Sequence, residues 1–119
     1  MRKVIFDTNF LLAPAQLKID IYKIEGKLYT LGSCLNELKR ISKERTKRGM
    51  YARVAIDIMK IKDIEIIKDE RNADRILMEY SEKGYIIATN DSAIIKQLKE
   101  LGRIVIRIKQ KKFVKEEFG

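Results

Sequence analysis

Apolar residues are arranged along the chain in two patterns. Some form short continuous runs, and others recur at helical spacing in longer segments. A continuous run bounded by turn residues is typical of a strand that is covered on both faces. Five runs of this kind predict strands, over residues 2–6, 27–31, 64–67, 85–89 and 103–108. Between them, apolar residues recur at helical spacing and predict helices over 15–25, 33 to about 49, 51–59, 72–84 and 94–101. A basic tail follows the last strand.

Strands that alternate with helices are typical of a parallel sheet with right-handed crossovers. The pattern therefore predicts an α/β fold with three layers, α/β/α, around a central, mostly parallel, five-stranded sheet. A length of 119 residues suits one domain, so residues 1–119 are interpreted as a single unit.

Two of the predicted strands end on an aspartate. Arg2–Phe6 leads directly into Asp7, and Tyr85–Thr89 leads through Asn90 into Asp91. In an open parallel sheet the ligand crevice lies beyond the carboxyl ends of the strands, so a central first strand would place both acids side by side. Either acid could instead cap the helix that follows it. Asn9 and Ser92 could take over that capping and leave the acids free.

Two further acids lie at the edges of apolar helix stripes. Glu37 borders the stripe of the helix that Ser33 is expected to cap, and Asp74 lies in the first turn of the helix that Asn72 is expected to cap. Taken singly, Glu37 could reach solvent and Asp74 could complement the helix dipole. Convergence of Asp7, Glu37, Asp74 and Asp91 would instead form a carboxylate site.

The composition narrows the chemistry of such a site. The chain has no histidine and one cysteine, which excludes Ser-His and Cys-His nucleophile pairs, histidine-ligated metals and an internal disulfide. Carboxylates with hard cations such as Mg²⁺ or Mn²⁺ remain. The net charge of +9 fits either a polyanionic partner such as nucleic acid or the charge-dense composition of heat-adapted proteins. No apolar stretch is long enough to cross a membrane, and the early first strand leaves no room for a signal peptide, so a cytoplasmic protein is expected.

The four acids occur in a characteristic order and context. The segments are Ile5-Phe6-Asp7-Thr8-Asn9, Asn36-Glu37-Leu38, Ala73-Asp74-Arg75-Ile76-Leu77 and Ala88-Thr89-Asn90-Asp91. This ordered set resembles the PIN-domain nucleases over essentially the whole chain. The extension from Asp7 to Ile21 resembles the branch that contains small-subunit pre-ribosomal RNA processing endonucleases and archaeal relatives labelled VapC-type ribonucleases.

The resemblance implies a Mg²⁺- or Mn²⁺-dependent ribonuclease whose acidic cluster is Asp7, Glu37, Asp74 and Asp91. It also implies RNA as substrate, frequent homodimers, and either an antitoxin protein or ribosome-assembly factors as partners. Ser92 and Ala93 stand where many relatives carry a further acid, so the resemblance leaves the number of metal ions at either one or two.

Two other interpretations compete with a nuclease. A non-catalytic RNA-binding PIN-like protein in ribosome biogenesis would keep the fold and the charge, although the presence of all four acids argues against it. A carboxylate-metal phosphatase or receiver-like domain is the other alternative. A receiver would carry paired acids at the first strand, where Asp7 stands alone.

Overall fold

Six strands form one sheet at the centre of the fold, and the computed structural model describes all residues, 1–119. In chain order the strands are β1 (Lys3–Phe6), β2 (Lys27–Leu31), β3 (Glu65–Ile67), β4 (Ile86–Ala88), β5 (Ile104–Lys109) and β6 (Phe113–Phe118). Their spatial order is β3-β2-β1-β4-β5-β6. The first five pair in parallel and β6 pairs antiparallel with β5. The α/β prediction with a mostly parallel sheet is confirmed, with six strands in place of the predicted five.

Helices cover both faces of this sheet. They are α1 (Thr8–Leu17), α2 (Gly32–Ile41), α3 (Lys47–Lys62), α4 (Ala73–Glu82) and α5 (Ser92–Glu100). Alternate residues of β1 belong to different cores: Val4 and Phe6 pack with α1 and α3, and Ile5 packs with α4 and α5. Strand β1 is flanked by β2 on one side and by β4 on the other. The chain first adds strands on the β2 side and then on the β4 side, so the order of the strands reverses at β1. None of the helices combines the length and the apolar character needed to cross a bilayer.

The first helix lies earlier in the chain than the pattern indicated. The prediction of a helix over 15–25 is wrong, because α1 begins at Thr8, directly after β1, and contains Pro14. Lys18 adopts a left-handed backbone conformation (φ 57°) that ends the helix. Ile19 and Ile21 are nevertheless buried, from an irregular segment. The spacing of these apolar residues therefore indicated that they are buried, but it did not indicate a helix.

Two other predicted helix limits are corrected. The helix expected to run to about Gly49 ends at Ile41, and α3 begins at Lys47, where the Thr46 hydroxyl accepts the Gly49 N–H at 3.0 Å. Ser33 does not cap α2, because Leu31 is the N-cap and has no side-chain cap bond. The Ser33 N–H donates instead to the Asp69 carbonyl at 3.1 Å.

The tail forms a strand where none was predicted. Residues 113–118 pair with β5 along their whole length. Glu117, on this strand, lies within 4.0 Å of four basic side chains, those of Lys99, Arg107, Lys109 and Lys115. Charge pairing across the hairpin therefore accommodates a strand of polar sequence.

Candidate active site

Asp7 and Asp91 lie at the carboxyl ends of the neighbouring strands β1 and β4. Each caps the helix that follows: Asp7 Oδ1 accepts the Phe10 N–H at 2.9 Å, and Asp91 Oδ1 accepts the Ala93 N–H at 2.9 Å. Of the two alternatives that the sequence left open, the acids themselves cap the helices, and Asn9 and Ser92 do not. Capping occupies one oxygen of each carboxylate, and Asp91 Oδ2 accepts no hydrogen bond from the protein.

Thr89 joins the two acids. Its hydroxyl is buried and donates to Asp7 Oδ2, and its oxygen accepts the Asp91 N–H at 3.1 Å. Both oxygens of Asp7 are therefore held by donors of the protein, which fixes the orientation of the carboxylate.

Asp7 is 8% exposed, and burial raises the pKa of its carboxyl to about 6. The hydrogen bonds from Thr89 and Phe10 lower this pKa, while the negative charges of Asp91 and Glu37 raise it further. The carboxylate that is least accessible to water thus also experiences the field of two other acids. A cation in front of these groups would relieve that repulsion.

An open cleft of about 650 Å³ lies beyond the carboxyl ends of the strands. Its walls come from the starts of α1, α4 and α5, from α2, and from the loop after β3. All four acids expected from the sequence line it: Asp7, Glu37, Asp74 and Asp91. The fold therefore brings acids that are up to 84 positions apart (91 minus 7) to one cavity.

Glu37 and Asp74 line the cleft from the helices α2 and α4 and not from the ends of strands. Glu37, on α2, forms an ion pair with Arg40 one helical turn on, at 3.6 Å. Asp74 is exposed in the first turn of α4, and its N–H donates to the side chain of Asn72 at 3.0 Å, as the predicted cap requires. No three acidic side chains are positioned as a ready-made ligand set for one ion.

The donor chemistry nevertheless fits a hard cation. Mg²⁺ and Mn²⁺ prefer carboxylate oxygens and retain several waters, so one or two direct carboxylates with others acting through water are sufficient. Asp7 and Asp91 are held by backbone and hydroxyl donors, whereas the side chain of Glu37 has only an exposed ion pair with Arg40 and that of Asp74 accepts no hydrogen bond from the protein. The four acids therefore fit a hard cation in two respects: they offer carboxylate oxygens, and they line the same cleft.

Sequence reasoning missed the loop that follows β3. Arg71 lines the cleft and donates to Asp69 Oδ2 at 2.8 Å, and it also pairs with Glu79 at 3.1 Å. Glu70, beside it, accepts from Asn36 at 3.1 Å. The available signal was position, because this loop leaves the carboxyl end of a parallel strand and so must reach the same rim as Asp7.

Two comparisons with known proteins bear on this site. A model of the PIN-like domain family matches residues 4–111. The chain is also 33% identical to Ribonuclease VapC4 of Methanocaldococcus jannaschii, in an alignment that covers 100% of this chain and 98% of that protein. The match extends over all the segments that contribute acids to the cleft.

Proposed function

This chain belongs to the PIN-domain family, in its VapC-type ribonuclease branch, and from that premise we propose that it is a Mg²⁺- or Mn²⁺-dependent endoribonuclease. The acidic cluster that we assign to it is Asp7, Glu37, Asp74 and Asp91. One observation carries the proposal: acids from four separate elements line a single open cleft at the point where the sheet reverses its chain order.

The two strand-end acids are the proposed direct ligands. Asp7 is held rigidly by Thr89 and the Phe10 N–H, and Asp91 keeps Oδ2 free of protein donors. Glu37 and Asp74 would bind directly or through water. A cation held by these residues would supply Lewis-acid chemistry, which polarises a phosphodiester and lowers the pKa of a bound water.

Cationic side chains at the cleft wall would hold the RNA backbone. Arg40 lines the cleft, its side chain is 76% exposed, and its ion-pair partner there is Glu37. An exposed pair of this kind contributes little stability, so Arg40 can exchange Glu37 for a phosphate at low cost. Arg71 also lines the cleft, but it forms ion pairs with Asp69 and Glu79, and we assign it to stabilising the loop after β3 and not to binding phosphate.

The test is cleavage of single-stranded RNA in Mg²⁺ and in EDTA by the parent protein, Asp91→Asn and Asp57→Asn. Asp57 is an exposed acid on α3 outside the cleft and serves as the matched control. We expect Mg²⁺-dependent cleavage by the parent and the control, and a loss of at least a hundredfold in Asp91→Asn. Equal activity of Asp91→Asn and Asp57→Asn would refute the assignment.

The same assay separates the alternatives that the sequence left open. RNA binding without Mg²⁺-dependent cleavage by the parent would favour the non-catalytic RNA-binding protein. The antitoxin or ribosome-assembly partner and the homodimer are proposals from the family relationship. Co-purification with the products of neighbouring genes, together with light scattering on the purified chain, tests them.

A further inference from the structure

A second cavity, which we call the side pocket, opens on the other side of the first turn of α1. It has a volume of about 210 Å³ and an apolar floor formed by Phe10, Ala13, Leu17 and Ile108. These four residues of α1 and β5 belong to, or pack against, the core on the opposite face of the sheet from α4 and α5. The side pocket is thus a separate depression at the same rim of the sheet.

The side pocket adjoins the acidic cleft at Asn9, the one residue that lines both cavities. Asn9, Gln16 and Lys111 form its polar rim. All three are exposed, and their side chains make no hydrogen bond or ion pair within the protein. Asn90, in contrast, is fully engaged, because it donates to the Ile108 carbonyl at 2.9 Å and accepts the Ile108 N–H at 2.7 Å. Asn90 therefore fixes the wall, and the other three polar groups remain available to a ligand.

The β5–β6 turn places Lys111 at this rim. Gln110 and Lys111 both have positive φ, 55° and 56°, in a turn whose geometry favours asparagine and glycine. A cationic residue at the rim of an apolar floor, with amide groups nearby, matches the parts of one nucleotide. The apolar floor suits the base, the amides suit the edge of the base, and the charge suits its phosphate.

We propose that the side pocket binds a nucleobase of the RNA strand whose scissile phosphate lies in the acidic cleft, with Lys111 on the adjoining phosphate. The inference rests on the proposed ribonuclease function, because it assigns the strand a path over Asn9 from one cavity into the other. Gln16 and Asn9 present both donors and acceptors and would contact the edge of the base.

The test measures RNA binding in Mg²⁺ by fluorescence anisotropy, in an Asp91→Asn background that prevents cleavage. The probes are a short single-stranded RNA and a series in which one nucleotide at a time lacks its base. We expect one abasic position to weaken binding about tenfold. In the double variant Gln16→Ala/Lys111→Asn we expect weaker binding of the intact RNA and loss of the difference between the intact and that abasic RNA.

Asparagine tolerates the left-handed conformation, so Lys111→Asn preserves the turn. Gln110→Asn is the control for the backbone, since Gln110 shares the conformation but does not line the pocket. Lys62→Gln is the control for loss of one positive charge. Lys62 ends α3 just before β3, so it lies at the amino ends of the strands, opposite to the rim that holds both cavities. Both controls are expected to bind within twofold of the background protein.

Equal binding of every abasic RNA, or equal behaviour of the double variant and the controls, would overturn the side pocket. Failure of the ribonuclease proposal gives a different result, because the parent protein would then not cleave RNA in Mg²⁺ while the anisotropy comparison could still be made. The two outcomes are read from separate measurements.

Discussion

The hydroxyl of Thr89 donates a hydrogen bond to the carboxylate of Asp7, across the two central strands of the sheet. The same oxygen accepts the N–H of Asp91 at 3.1 Å. One buried side chain thereby fixes the position of Asp7 relative to the loop that carries Asp91. The relative placement of the two acids depends on a residue that bears no charge.

Replacing Thr89 by valine keeps the shape of the side chain and removes this link. We expect Thr89→Val to lower the free energy of unfolding by about 1–3 kcal/mol, because the buried carboxylate of Asp7 loses one donor and the partly buried N–H of Asp91 loses its acceptor. We also expect RNA cleavage to fall at least tenfold. Urea unfolding and initial cleavage rates measure the two effects. Thr89→Ser retains the hydroxyl and should keep most of the activity, so equal losses in both variants would contradict a positioning role.

Asp7 should destabilise the metal-free protein at neutral pH. Its pKa is raised from 3.8 to about 6 in the folded state, so the folded protein binds the proton more tightly than the unfolded chain does. Stability from this group is therefore highest below pH 4, falls as pH rises from about 4 to 6, and stays low above that. Two pKa units correspond to a penalty on the order of 3 kcal/mol at pH 7.

The variant Asp7→Asn should remove that penalty, since asparagine also caps helices well. We expect it to unfold at higher urea concentration than the parent at pH 7 in EDTA, to lose the decline between pH 4 and 6, and to be inactive. Asp91→Asn, at an exposed position, should leave most of the decline in place, because burial is the main cause of the raised pKa and the charge of Asp91 is a smaller one. A parent protein whose stability does not fall between pH 4 and 6 would contradict the raised pKa.

The sequence was sufficient to predict the parallel sheet and the location of Asp7 and Asp91. Apolar runs such as Val4–Phe6 predict strands buried on both faces, and parallel strands carry the residues that follow them to one edge. It was insufficient where burial occurs without regular structure. Ile21 is fully buried in an irregular segment, and its spacing from Leu17 imitated a helix.

The orientation of side chains was also beyond the sequence. Helical spacing placed Glu37 and Asp74 near the cleft but gave no information on rotamers, and Glu37 points toward Arg40 as well as into the cavity. The role of Arg71 depends on its contacts with Asp69 and Glu79, which only the folded loop brings together. Strand β6 likewise makes an ion pair with a residue distant in the chain, since Glu116 pairs with Arg2 at 2.6 Å.

The loop after β3 should lose stability in acid through Asp69. Hydrogen bonds from Arg71 lower the pKa of this carboxyl to about 2. A lowered pKa gives a contribution that is complete above about pH 4 and is lost as pH falls toward 2. We expect Asp69→Asn to be less stable than the parent at pH 7, and the difference to shrink by pH 2. Urea unfolding at both pH values measures it, with the exposed neighbour variant Glu70→Gln expected to change stability little.

Gly49 is required by close packing at the start of α3. A Cβ at this position would lie 2.0 Å from the Glu44 carbonyl oxygen and 3.2 Å from that of Ile41. Because both atoms belong to the backbone, the loop between α2 and α3 would have to move. We expect Gly49→Ala to destabilise the fold by about 1–3 kcal/mol. The exposed neighbour variant Met50→Ala should remain within about 0.5 kcal/mol of the parent, and equal melting temperatures for the two would contradict the packing argument.

Mg²⁺ should stabilise the folded protein, because the unfolded chain does not bring the four acids of the cleft together. An ion that binds only the folded state adds about 2.7 kcal/mol when its concentration is a hundred times its Kd. We expect the melting temperature of the parent to rise with added MgCl₂ and to return to its initial value in excess EDTA.

Asp57→Asn should respond as the parent does, and Asp91→Asn should respond weakly, because it lacks the carboxylate whose Oδ2 is free. A NaCl titration at matched ionic strength controls for screening of the net charge of +9. Equal stabilisation by NaCl and MgCl₂, or an undiminished response in Asp91→Asn, would show that the cation does not bind at these acids.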